Sequence, residues 1–125
     1  MKAAFSTAWN SSRKVRKQRK YRHNAPLNIK RKFLAAHLSK ELITTYKKRN
    51  IPVRKGDTVK VMRGQFKGKT GKIIQVFPKI TKIHVENVEN TKNDGGKAFY
   101  PLNPSNVLIT ELVLTDPKRK EILTR

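Results

Sequence analysis

Gly64-Gln65-Phe66-Lys67-Gly68-Lys69-Thr70 sets glycines, a lysine and a hydroxyl in nearly the order used by a phosphate-binding loop. Such a loop needs four residues between its glycines and a following helix whose N-terminus faces the phosphate. Here three residues separate Gly64 from Gly68, and Thr70 leads into Ile73, Ile74 and Val76, a β-branched run suited to a strand. Nucleotide hydrolysis therefore has no support. His23, His37 and His84 lie far apart, without the i, i+4 or short-loop spacing of metal ligands, and read as surface or packing residues. Asp57, Glu86, Glu89, Asp94, Glu111 and Asp116 show no pairing pattern for general acid–base work, and Asp57 and Asp94 stand where turns use Asp. With no cysteine there is neither a disulfide framework nor a thiolate metal site, which is compatible with a reducing compartment. The expectation is a protein that is not an enzyme and takes no cofactor, metal or small-molecule substrate.

The remaining chemistry is electrostatic. Thirty Lys and Arg stand against eight Asp and Glu, a net charge of +22, so the chain repels itself unless a polyanion neutralises it. Nucleic acid is the expected partner. Residues 1–55 carry +16 and residues 56–125 carry +6, so most of the field belongs to the first part. A membrane span needs ~20 consecutive apolar residues, and an interfacial anchor needs a wide apolar helix face; the sequence offers neither. Met1 to Trp9 is mildly apolar, but Ser6 and Thr7 interrupt it and no small-residue cleavage pattern follows, so it does not read as a signal peptide. The cytoplasm is the expected location.

Several elements must position these charges. At 36% apolar the chain lacks the usual ~45–50% and cannot build a large core. From Arg13 to Arg22 it is too charged to bury a face, which predicts an extended arm, disordered when free. Leu27, Ile29, Phe33, Leu34 and Leu38 have a loose helical spacing. Ser39 is a good N-cap for a second short helix, with Glu41 in its first turn, Leu42, Ile43 and Tyr46 on one face, and Lys47-Lys48-Arg49 at its C-terminal end. From Val53 the period changes: Val59 and Val61, then Ile73, Ile74 and Val76, then Ile80, Ile83, Val85 and Val88, and finally Val107, Ile109, Leu112 and Leu114, with turn residues between. This predicts a mainly β fold, a small closed or nearly closed barrel of about five antiparallel strands. Asp116-Pro117 is a helix start, and Ile122 and Leu123 are placed to pack a short last helix onto the barrel. The expected organisation is a basic RNA-binding arm over 1–24, short helices over 25–52, the barrel over 53–114 and a short helix or tail over 115–125.

Arg54 to Val76 reads as strand, Gly-rich connection and strand, with Arg63, Lys67, Lys69 and Lys72 on or beside the turn. Many hairpins carry such residues for solubility alone, but the charge balance favours nucleic-acid contact. Phe66, Phe77, Phe99 and Tyr100 could stack on bases, but in so small a barrel most are expected in the core. Trp9 and Tyr21 sit in the cationic arm, where the sequence offers no core, and are expected to stack on RNA or pack into a neighbouring protein.

The same run resembles a KOW motif, the glycine-containing hairpin module of several ribosomal and transcription proteins, with Gly68 or Gly71 near its characteristic glycine. Arg16-Lys17-Gln18-Arg19-Lys20, Asn24-Ala25-Pro26-Leu27, Leu38-Ser39-Lys40-Glu41-Leu42, Tyr46, Pro52-Val53-Arg54, Met62-Arg63-Gly64, Phe66-Lys67-Gly68 and Pro104-Ser105-Asn106-Val107 extend it. Together, from about Arg13 to Leu114, they resemble the archaeal and eukaryotic form of one large-subunit ribosomal protein family, numbered twenty-four in bacteria and archaea and twenty-six in eukaryotes. The resemblance implies an SH3-like barrel, binding to large-subunit ribosomal RNA near its 5′ region beside neighbouring ribosomal proteins, an early role in assembly and a place by the nascent-peptide tunnel exit. The expected RNA-binding residues are Arg13, Lys14, Arg16, Lys17, Arg19, Lys20 and Arg22 in the arm; Lys30, Arg31 and Lys32 after it; Arg63, Lys67, Lys69 and Lys72 in the hairpin; and Ser105 and Asn106. The main alternative is a KOW-containing transcription-elongation factor or other RNA-binding module. Such factors usually join the module to a separate mixed α/β domain, and the part before Val53 is too basic and too poor in apolar residues to fold as one.

Overall fold

The computed structural model describes residues 5, 6, 8, 9 and 11–125. Eight strands follow in chain order: β1 (Ala35–Leu38), β2 (Asn50–Pro52), β3 (Thr58–Val61), β4 (Thr70–Phe77), β5 (Lys82–Val85), β6 (Glu89–Thr91), β7 (Lys97–Phe99) and β8 (Val107–Glu111). The helices are α1 (Val15–Asn24), α2 (Leu27–Phe33), α3 (Lys40–Tyr46) and α4 (Pro117–Thr124), with a 3-10 turn at Pro104–Asn106. Six strands form one sheet in the order β2-β1-β8-β3-β4-β5, and β6 and β7 pair as a separate hairpin.

Alternation builds the core. Val59 and Val61 of β3, Ile83 and Val85 of β5, and Val107 and Ile109 of β8 point inward while their neighbours face out. Leu38, Ile51, Ile73, Val88 and Leu102 join them. Each such Val, Ile or Leu stabilises the fold by roughly 1.5–3 kcal/mol on full burial. The mainly β, small SH3-like class is as expected, with three corrections. There are more strands than five, because the short β1, β2, β6 and β7 lack a long alternating pattern. The sheet is open, with β2 and β5 at its two ends. Nor is it wholly antiparallel, since β1 runs parallel to β8, pairing His37 with Leu108 and Leu38 with Ile109.

The segment before Val53 also differs from expectation. Helical spacing over 27–38 ends at Phe33, and Ala35–Leu38 becomes a strand that buries Ala36 and Leu38. Ser39 caps α3 as expected, its Oγ accepting from Leu42 N at 3.4 Å. The helix stops at Lys47, which adopts φ 54°, so Lys48 and Arg49 lie beyond its last turn. Between Val15 and Asn24 the arm is helical, not extended. Arg, Lys and Gln are good helix formers, and Tyr21 stacks on Trp9 at 4.4 Å and packs against Phe5 at 4.9 Å and Phe33 at 6.2 Å. Trp9 and Tyr21 thus have a small apolar cluster of their own. The rest of the expected arm at 1–4, 7 and 10 lies outside the described residues.

The C-terminal helix is locked to the sheet by a buried ion pair. Asp57 is fully buried and Arg119 is 2% exposed. The guanidinium meets the carboxylate as a fork, Nη1 to Oδ1 and Nη2 to Oδ2, both at 2.7 Å. Oδ2 also accepts from Arg54 N at 2.9 Å, the turn role expected of Asp57, and Oδ1 accepts from Val113 N at 3.1 Å. Arg119 donates further to Val113 O at 2.9 Å and Pro52 O at 3.4 Å, while its Nε has no partner. Asp116 caps α4 through Lys118 N at 2.9 Å, and Leu123 enters the core.

Candidate nucleic-acid interface

The β3–β4 connection bends through Gly64 and Gly68, at φ 97° and 90°, a region costly for side-chain-bearing residues. Gly68 N donates to Val61 O at 2.8 Å and closes the turn. Gly71 serves differently: a Cβ there would lie 2.4 Å from Glu86 O, so the glycine lets the chain after β5 approach β4. Phe66 drops from the turn into the core as expected, whereas Phe77 is half-buried and Phe99 and Tyr100 are exposed, because the short β6–β7 hairpin and the chain after it lie at the edge of the core. Lys69 lies over the Phe66 ring at 5.1 Å and donates to Asn87 O at 3.1 Å. Arg63, Lys67 and Lys72 are exposed around it.

Met62 N donates to Asn106 O at 2.8 Å, tying the hairpin to the 3-10 turn. Consequently Arg63 and Asn106, 43 positions apart in the chain, line one cleft, and the exposed Ser105 lies on the same turn. Lys69 borders a different hollow, with Asn87 and Lys97.

On α1 the cations encircle the helix. Positions 16, 19 and 22 follow one face at i, i+3 and i+6, giving a row of three arginines. Lys17 and Lys20 flank Tyr21 beside the aromatic cluster. Arg13 and Lys14 precede the helix and are exposed, Lys14 N donating to Ser12 Oγ at 3.2 Å. Lys30, Arg31 and Lys32 occupy the last turn of α2, where cations suit the helix dipole. Arg31 also borders a small hollow lined by Arg54 and Arg119.

Among the described residues the ion pairs are Arg54 with Asp116, Lys97 with Glu89 and Arg119 with Asp57. None of the fourteen cations among the sixteen expected RNA-binding residues takes part, so among the described residues their charge is not neutralised by a carboxylate partner. The sequence does not single out Lys82 and Asn103, and it favours the core for Tyr100, yet all three share the cleft with Arg63 and Asn106. No periodicity marks them, because strand pairing and two turns bring them together. Among the described residues no group of acids and histidines is arranged to hold a metal, and no helix is long and apolar enough to cross a membrane.

Comparison with known proteins gives two concordant matches. Residues 12–125 fit the model of a family described as ribosomal proteins L26 (eukaryotic) and L24 (archaeal). The large ribosomal subunit protein uL24 of Methanothrix thermoacetophila is 48% identical over 114 residues, covering 91% of this chain and 98% of that one.

Proposed function

The chain belongs to the L26/L24 family of ribosomal proteins, structural constituents and not enzymes, and from that premise we propose that it binds large-subunit ribosomal RNA through α1, the β3–β4 turn and the turn at Ser105–Asn106. It works within the large subunit of the cytoplasmic ribosome, beside neighbouring ribosomal proteins, and assists early assembly. The observation that carries this reading is the excess of +22, with none of the fourteen expected contact cations paired with a carboxylate among the described residues. Phosphates can meet those cations at little cost, since no internal ion pair must break first. The arginine row at 16, 19 and 22 suits bidentate phosphate contact.

The family resemblance alone supports a place by the peptide tunnel exit. The tests are separate. The full chain should bind a transcript of the 5′ region of large-subunit ribosomal RNA with an affinity that falls steeply with salt; a tenfold salt increase that changes affinity less than tenfold would overturn the RNA reading. Cells depleted of the protein should accumulate incomplete large subunits. In ribosomes carrying a stalled nascent chain, photo-cross-links to this protein should appear as the chain emerges, and their absence at every chain length would remove the tunnel-exit assignment.

A further inference from the structure

Between the β3–β4 turn and the turn at 103–106 lies a cleft of ~120 Å³. Its floor is aromatic and its rim is cationic and polar. Tyr100 is 39% exposed, and its ring rests on buried Phe66 at 5.2 Å, tilted by 50°. Its backbone is held by Tyr100 N donating to Val88 O at 2.9 Å. The ring is therefore partly covered by the core and partly open to solvent. Asn103 is orientated by its neighbours: Oδ1 accepts from Ser105 N at 3.2 Å and Ser105 Oγ at 3.1 Å, leaving Nδ2 as the donor offered to a ligand. Arg63 and Lys82 stand at the rim, and Asn106 completes the polar wall.

We propose that this cleft receives one unpaired RNA base, stacked on Tyr100, with an acceptor on the base edge taking a hydrogen bond from Asn103 Nδ2 and the flanking phosphates meeting Arg63 and Lys82. The proposal rests on the RNA-binding reading above and narrows it to a single-stranded element at this position. A base inside a duplex has both faces covered by its neighbours and cannot stack on a side chain, whereas a splayed base in a loop or bulge can. A flat ring backed by core, an orientated amide and two cations fit a nucleotide. A purely electrostatic phosphate site would not need the open ring.

The test uses the full chain and two fluorescent probes, a six-nucleotide single-stranded RNA and a blunt RNA duplex, titrated by anisotropy in ~0.3 M salt, where counterion release contributes less. Tyr100→Leu keeps an apolar cover on Phe66 but cannot stack, and should weaken single-strand binding about tenfold while duplex binding changes less than twofold. Tyr100→Phe should bind both probes as the native chain does. If Tyr100→Leu leaves single-strand binding unchanged, or weakens both probes equally, the cleft proposal fails while the general RNA reading stands. If the native chain binds neither probe, both fail. Cross-linking of the unaltered chain to the same hexamer carrying 4-thiouridine needs no substitution: adducts at Tyr100 or Arg63 support the cleft, and adducts confined to residues 13–32 overturn it.

Discussion

The helix α1 and the sheet that follows it meet opposite demands. The helix buries none of its ten residues, has no acid in its first turn and packs through Tyr21 onto Phe5, Trp9 and Phe33. Arg16 lies i, i+3 from Arg19 and i, i+4 from Lys20, and such like-charge pairs each oppose helix formation by ~0.2–0.5 kcal/mol. The sheet has a continuous aliphatic core and, among the described residues, a single buried ion pair, Asp57–Arg119, with both carboxylate oxygens doubly hydrogen-bonded. The charge of α1 that we propose meets RNA therefore sits where folding does not need it. The Asp57–Arg119 charge that serves the fold is buried and removed from any ligand.

The sharpest way to break this division is at the buried pair. Asp57→Ala strands the Arg119 guanidinium without its partner and should cost about 3–5 kcal/mol of stability, read by urea unfolding. Replacing both residues, Asp57→Ala with Arg119→Met, should recover part of that loss, because no unpaired charge remains inside. A cost below about 1 kcal/mol for Asp57→Ala would mean that α4 is not locked by this pair. Gly71→Ala comes next: its Cβ meets backbone, so the β4–β5 region must shift, at a cost of about 1–3 kcal/mol.

On the other side of the comparison, Arg16→Glu, Arg19→Glu and Arg22→Glu together should lower affinity for large-subunit ribosomal RNA roughly tenfold or more. The urea midpoint should remain at the native value, since exposed charges contribute little to folding. A lowered midpoint would show that α1 supports the sheet after all. The smallest effect concerns acid. The side chain of Arg54 beside Asp116 holds its carboxyl below the ordinary 3.8, helped by the hydrogen bond from Lys118 N. A folded value below the unfolded one stabilises the protein above about pH 4, and that contribution is lost as pH falls through the lowered value. Asp116→Asn should therefore flatten the acid limb of the stability curve, measured by melting temperature between pH 2 and 6.

What the sequence made legible follows from how locally each feature is encoded. Ser39, Asp116 and Pro117 act within one turn, and the caps lie where their residue types place them. Val59, Val61, Ile83, Val85, Val107 and Ile109 alternate, and they form the core. Ala35–Leu38 continues a helical spacing in the sequence, but its pairing with β8 depends on residues some 70 positions away. Asp57 was legible as a turn residue, but its Arg119 partner lies 62 positions further on and no spacing rule joins them. An extended arm is expected because Arg13 to Arg22 is too charged to bury a face, whereas Tyr21 gathers Phe5, Trp9 and Phe33 from outside that run around the helix. The charge itself was fully legible, and so was the hairpin that carries part of it. The union of Arg63 with Asn106, Tyr100 and Asn103 was not, because it is made by the Met62–Asn106 hydrogen bond.

The most direct test of the division is the salt dependence of RNA binding with and without residues 1–24. That segment includes seven of the proposed phosphate-contacting cations, Arg13, Lys14, Arg16, Lys17, Arg19, Lys20 and Arg22. With each contact adding ~0.7–0.9 to the slope of log K against log salt, its deletion should reduce the slope by about 5–6 units and leave the urea midpoint of the remaining fold in place. A change in slope of less than one unit, or a collapse of that midpoint, would contradict the assignment of ligand charge to the arm and stability to the sheet.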